Sequence, residues 1–161
     1  MDGEILPIAA LVRRPATTVR RRVVEAWRAE GLEGLLPGHL SVFTMESPEG
    51  VRPGQLAARV DFSKQAMNHL LGQLETLGYL TREPDPTDGR TKVVRLTDRG
   101  RRAQQIIHRV ARDLDAELRA HLGVLGLESL RHGLMELDGF LRDHPSSGMP
   151  VNIDSGGATD W

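Results

Sequence analysis

Between Ser63 and Leu77, apolar residues recur at three- and four-residue intervals: Met67, Leu70, Leu71, Leu74 and Leu77. That spacing predicts one amphipathic helix, with Ser63 as its N-cap and Gly78 as its stop. The pattern then changes. Tyr79 to Glu83 and Thr91 to Leu96 predict two strands, and PDPTDGR between them supplies the Pro, Asp and Gly of a turn. A polar-faced helix followed at once by a basic hairpin predicts a winged helix-turn-helix. Just upstream, Gly54 to Val60 forms a short helix with Leu56, Ala57 and Val60 inward, and Asp61-Phe62 gives the short turn that the motif requires.

The flanks are helical by the same criterion. Residues 1–16 have no clear period and are interrupted by Pro7 and Pro15, which predicts an N-terminal arm. A first helix is expected from Thr17 to Ala29, with Val19, Val23 and Trp27 on one side; Arg20, Arg21 and Arg22 beside it read as a solvated face, with phosphate contact as the alternative. Gly31 ends it, and Pro37 opens an apolar stretch through Leu40, Val42, Phe43 and Met45. Residues 47–53 read as a linker. Thr97 can cap a long helix carrying Ile106, Val110, Leu114, Leu118 and Leu122. Gly123 and Gly126 break it, and a last helix follows with Leu130, Leu134, Leu137 and Leu141. Residues 145–161, rich in Gly, Ser and Pro, are expected to be a flexible tail. The class is mostly α with a small β-hairpin wing. The expected divisions are the arm at 1–16, a main domain at 17–144 with a winged lobe at 52–97, and the tail.

Composition sharpens this. A chain of 161 residues suits one domain, and with only 4% aromatic residues, leucine and valine must carry most of the packing. No cysteine is present, which excludes disulfides and thiol sensing. No run of eighteen apolar residues occurs, so no membrane partner is expected. The stretch ILPIAALV has the reverse of a signal peptide's charge order, and a cytoplasmic location is expected. The formal net charge is −1, but it is unevenly spread. Residues 52–102 hold ten Lys/Arg against six Asp/Glu, whereas residues 103–161 hold five against nine. The helix-hairpin segment is therefore a local basic patch, and local charge governs attraction to a polyanion.

The outer face of the 63–77 helix carries Lys64, Gln65, Asn68, His69 and Gln73, with no acid before Glu75. Amides can bond an adenine edge in two places, and lysine reaches guanine or phosphate. On an isolated helix such a face would read as merely solvated; the adjoining basic hairpin turns the reading toward DNA.

The segment RPGQLAARVDFSKQAMNHLLGQLETLGYLTREPDPTDGRTKVVRLTDRGR resembles the DNA-binding core of the MarR family of bacterial transcriptional regulators. The wing, REPDPTDGRTKVVRLTDRG at 82–100, and the LxxLExLGYL run at 71–80 carry most of the likeness. The resemblance implies a homodimer, with interface helices at 17–46 and 98–144, acting as a repressor on a near-palindromic double-stranded operator. It implies base contacts from Gln65, Asn68 and His69, and phosphate contacts from Ser63 and Lys64. It also implies that Asp88 orients Arg90 into the minor groove. Arg82, Lys92 and Arg95 read either as wing phosphate contacts or as soluble strand positions. The family commonly binds small aromatic or anionic effectors, and His39, Leu40 and Phe43 are the candidate lining. The chain departs from the family in three places: Leu40 replaces a common aromatic, His69 stands where arginine is frequent, and Gly72 where an acid is frequent. A winged module that binds protein rather than DNA is the alternative. The six histidines form no close pair, and no metal or cofactor is expected, although some members of the family that the chain resembles sense zinc through residues distant in sequence, which spacing alone does not exclude. No GxSxG, P-loop or GxGxxG occurs, so no catalytic role is expected.

Overall fold

The computed structural model describes residues 6–44, 50–60 and 62–144. Residues 1–5 of the expected arm, Met45, residues 47–49 of the linker, Asp61 of the turn and the tail at 145–161 lie outside the described residues. The chain divides into two compact units, with the boundary between Leu114 and Asp115.

In the first unit, α1 (Ile8–Ala29) is followed by a 3-10 helix (Pro37–Thr44), α2 (Pro53–Arg59), α3 (Lys64–Thr76), β1 (Leu80–Asp85), β2 (Asp88–Leu96) and the start of α4 (Asp98–Asp143). The first helix begins nine residues earlier than its expected start at Thr17, so residues 8–16 are not an arm. Pro15 lies inside α1. It removes only the one N–H that would have bonded Leu11, while the Pro7 carbonyl accepts from Ala10 and Leu11 and starts the ladder upstream. Thr17 and Thr18 then donate their hydroxyls back to the carbonyls of Arg13 and Arg14 at 3.0 and 3.3 Å.

One core joins the elements on either side of the winged lobe. Trp27 of α1, Phe43 of the 3-10 helix, Leu56 of α2, Met67, Leu71 and Leu74 of α3, Tyr79, and Ala103 and Ile106 of α4 are all buried together. The expected lobe boundaries at 52 and 97 therefore do not separate two cores. Each large apolar side chain fully buried here contributes about 1.5–3 kcal/mol. The Phe43 ring packs on Trp27 at 5.6 Å and edge-on to Tyr79 at 6.2 Å between centroids. The polar ends of both partners are satisfied: Trp27 Nε1 donates to the Ala103 carbonyl at 2.9 Å, and the Tyr79 hydroxyl to the Glu33 carbonyl at 2.9 Å.

β1 and β2 pair antiparallel from Leu80 opposite Leu96 to Pro84 opposite Lys92. The register then shifts, so that Asp85 faces Asp88 and Gly89, Arg90 and Thr91 fall outside the regular ladder. The strands thus run closer to the tip than the expected ends at Glu83 and Thr91. Val51 adds a bridge to Val94, fastening the segment before α2 to the hairpin. After the wing, Thr97 caps α4 as expected: its hydroxyl accepts from Gly100 N at 3.1 Å and donates to the Gly78 carbonyl at 2.7 Å. Gly100 lies so close to Tyr79 that a Cβ there would sit 2.0 Å from its carbonyl oxygen.

In the second unit, Gly123 adopts φ 72° and ψ 176° and kinks α4 at the first of the two glycines expected to break it. Arg131 Nη2 reaches Asp115 Oδ2 at 2.7 Å, so the helical stretches on either side of Gly123 lie alongside one another. Among the described residues no helix is long and apolar enough to cross a membrane.

Candidate nucleic-acid interface

The sequence of α3 sorts cleanly between two faces. Met67, Leu71 and Leu74 are buried, while Lys64, Gln65, Asn68 and His69 are exposed. Ser63 caps the helix through a hydroxyl that accepts from Ala66 N at 3.1 Å. That hydroxyl keeps its own proton for an outside acceptor. The helix N-terminus also carries the positive end of the backbone dipole, which favours phosphate nearby.

The wing is fastened to this helix by Arg82. Its guanidinium faces Glu75 Oε2 at 3.2 Å and donates to Asn68 at Oδ1 and the backbone carbonyl, at 3.4 and 3.3 Å. Arg82 is half-buried and spans α3 and β1, so it acts as a brace that holds Asn68. Arg95 faces Glu83 across the hairpin at 3.0 Å. Lys92 is exposed on β2.

At the wing tip Asp88 Oδ1 accepts the backbone N–H of Arg90 at 3.1 Å. The acid thus fixes the chain that carries Arg90 rather than its guanidinium, and the Arg90 side chain is exposed. A second acid, Asp85, was not singled out by sequence reasoning. It is buried at the hairpin turn, accepts from the Thr87 N–H at 2.8 Å and hydroxyl at 2.6 Å, and receives Arg52 Nε at 2.7 Å. The Thr87 hydroxyl, the Thr87 backbone N–H and Arg52 hold its carboxyl well below the usual carboxylate range. Arg52, the residue preceding α2, is thereby tied to the wing turn. The only sequence signal for this pair was turn chemistry: an Asp two residues before a Thr favours this side-chain-to-backbone bond.

Of the candidate effector residues, one lies at a cleft and two do not. An open cleft of about 680 Å³ lies between the 3-10 segment and α3, lined by Leu36, His39, Asn68, His69, Gln73 and Leu77 among others. His39 is buried at its base. Phe43 is instead committed to the Trp27–Tyr79 stack, and Leu40 packs against the core. Their apolar groups are better removed from water there than in an open cleft. His39 Nδ1 accepts from Leu36 N at 3.1 Å, and Nε2 meets Gln73 Oε1 at 2.9 Å. Gln73 Nε2 in turn meets His69 Nε2 at 3.1 Å. Burial lowers the His39 pKa; the Gln73 bond raises it in part, and nearby His69 lowers it further.

A short first helix, a short turn, a second helix with no acid before Glu75 and a braced basic hairpin define a winged helix-turn-helix of the kind that transcriptional regulators use. The MarR family model matches residues 42–91. The chain is 30% identical over 116 residues to the HTH-type transcriptional repressor Rv2887 of Mycobacterium tuberculosis, covering 72% of this chain and 82% of that protein. It belongs to the MarR family of transcriptional regulators. The crystal structure of Rv2887 in complex with p-aminosalicylic acid is 27% identical, with a TM-score of 0.57 over 83% of this chain and 99% of that one. Reduced MarR from E. coli shares the fold at 23% identity, with a TM-score of 0.67 over 84% and 98%. Streptococcus pneumoniae FabT in complex with DNA does so at 19%, with a TM-score of 0.67 over the same shares.

Proposed function

We propose that this regulator is a cytoplasmic homodimeric repressor that lays α3 of each protomer in a major groove and sends each wing tip toward the adjacent minor groove. The observation that carries the reading is the exposed face of Lys64, Gln65, Asn68 and His69 opposite the buried Met67, Leu71 and Leu74, on a helix braced to the wing that bears Arg90. Gln65, Asn68 and His69 contact base edges; Ser63, Lys64 and Lys92 contact phosphate; Arg90 enters the minor groove. Arg82 contributes through Asn68, and Asp88 through the Arg90 backbone. The FabT complex with DNA shares this fold and makes the docking mode reasonable.

Homodimerisation is supported by apolar residues that a single chain leaves in water, including Leu125, Met135, Phe140 and Leu141. The effector reading is supported by the cleft at His39, which adjoins α3 itself, and by the aromatic acid bound to Rv2887. A small aromatic or anionic ligand seated there would favour one position of α3 over another and lower DNA affinity by population shift.

The test is selection of bound fragments from genomic DNA, followed by titration against salt. The expected result is enrichment of near-palindromic sites, with half-sites one helical turn apart and affinity falling steeply as salt rises. Lys64→Ala should reduce the salt slope by about one without changing the preferred sequence. No enrichment over input DNA at low salt would overturn the reading.

A further inference from the structure

The chain of polar groups that runs from the 3-10 segment to the outer face of α3 has only one consistent arrangement of protons. The Leu36 N–H can only donate, so His39 Nδ1 must accept it. A neutral imidazole has one acceptor and one donor nitrogen, so His39 Nε2 carries the proton and donates to Gln73 Oε1. The reverse orientation of the Gln73 amide would place its NH2 against that N–H, donor against donor. With its oxygen committed, Gln73 turns its amide nitrogen to His69 and donates to Nε2. His69 Nε2 is therefore an acceptor, and its proton resides on Nδ1. His39 is buried, which holds it in the neutral form that the arrangement needs.

We infer that Gln73 and His39 are positioning residues that fix His69 as a hydrogen-bond donor through Nδ1–H, so that His69 selects an acceptor edge in the major groove. Those edges are purine N7, guanine O6 and thymine O4; the amino groups of cytosine N4 and adenine N6 are rejected. The buried anchor thus sets which kind of group the exposed ring accepts, an acceptor rather than an amino donor. An imidazole free to exchange tautomers presents either a donor or an acceptor and discriminates less. This inference rests on the proposed DNA docking mode of α3.

The test has two readouts on the full-length protein. Imidazole nitrogen NMR of the DNA-free protein, with the His69 signals assigned by their loss in His69→Ala, should show Nδ1 protonated and Nε2 bare. In Gln73→Met, which removes both amide bonds at a half-buried position, the His69 proton should redistribute toward Nε2. The second readout is base preference across the operator. Gln73→Met should flatten the preference at one base pair, the same one at which His69→Ala does so. His69→Ala should lower affinity for the preferred site about tenfold, and the double variant should match His69→Ala alone. An Nε2-protonated His69 in the wild type, a tautomer indifferent to Gln73→Met, or additive losses in the double variant would each overturn the inference. So would a uniform loss across all sequences, which would make His69 a phosphate contact. Arg90→Ala separates the levels: if it weakens DNA binding while His69→Ala does not, the docking mode stands and this inference falls. If neither variant matters, both fall.

Discussion

At the scale of single residues, the wing tip separates two kinds of acid. Asp88 accepts a backbone N–H and shapes the bulge on which Arg90 is displayed, whereas Asp85 is buried and holds the turn together. Arg90 is exposed, so its loss costs little folding stability. We expect Arg90→Ala to weaken operator binding by about 1–3 kcal/mol with the thermal midpoint unchanged; gel-shift titration and a melting scan check the two halves. Asp85 has the opposite signature. Its folded pKa lies below the unfolded carboxylate value of about 4. The unfolded chain therefore takes up the proton first as pH falls, and Asp85 stabilises the fold fully above about pH 4. That contribution disappears as pH drops toward and through the lowered folded value. Asp85→Asn should accordingly unfold at lower urea than the wild type from neutral pH down to about pH 5, and the gap should narrow at still lower pH. A gap that is constant across the acid range would mean that the ionised carboxylate is not what stabilises the turn.

At the scale of elements, α3 and the hairpin were legible because their signals are local. The three-four spacing of Met67, Leu71 and Leu74, the Ser63 cap and the turn residues act within a few positions of one another. The helix and its cap appear where expected, and the hairpin does so with a tighter turn than the sequence suggests. The start of α1 was not legible. Ile8, Leu11 and Val12 remain exposed on one chain, so the period that would mark their helix faces no core within it, and Pro15 reads as a stop. The His39–Gln73 and Arg52–Asp85 contacts join residues 34 and 33 positions apart. Neither residue of such a pair announces its partner, which is why Phe43 was expected at the effector cleft and His39's bond to α3 was not. Gly72 is a local feature with a calculable effect. It lies within α3, and a Cβ added there would meet nothing within 4 Å. Gly72→Ala should stabilise the protein by about 0.5–1 kcal/mol, the usual helix-interior difference. Urea unfolding at fixed protein concentration would register it as a higher midpoint with the same slope. Because Gly72 also lines the cleft, the same variant should bind an aromatic acid there more weakly.

For the whole molecule, the formal charge of −1 conceals the division that function requires, since the excess of lysine and arginine lies between 52 and 102. One copy of that patch is a small target for a duplex. Two copies joined rigidly make the second half-site contact intramolecular, which raises affinity by about 10²–10⁴ without any new bond to DNA. In the proposed homodimer the joining surface would come from apolar groups that one chain cannot bury. In the second unit Leu125 is 84% exposed and Met135 73%, unusual values for side chains of this size. Placing a carboxylate at both positions would oppose burial there, because an unpaired charge is costly to bury, and it would leave the core of the first unit untouched. Leu125→Glu/Met135→Glu should therefore sediment as a folded monomer where the wild type sediments as a dimer. Its affinity for a complete operator should fall by about 10²–10⁴ toward that for a half-site, while its affinity for an isolated half-site stays near that of the wild type. Sedimentation velocity and anisotropy titrations on full and half operators measure both. A variant that remains dimeric would place the interface elsewhere, and a wild type that is already monomeric on its operator would remove the two-fold mode altogether.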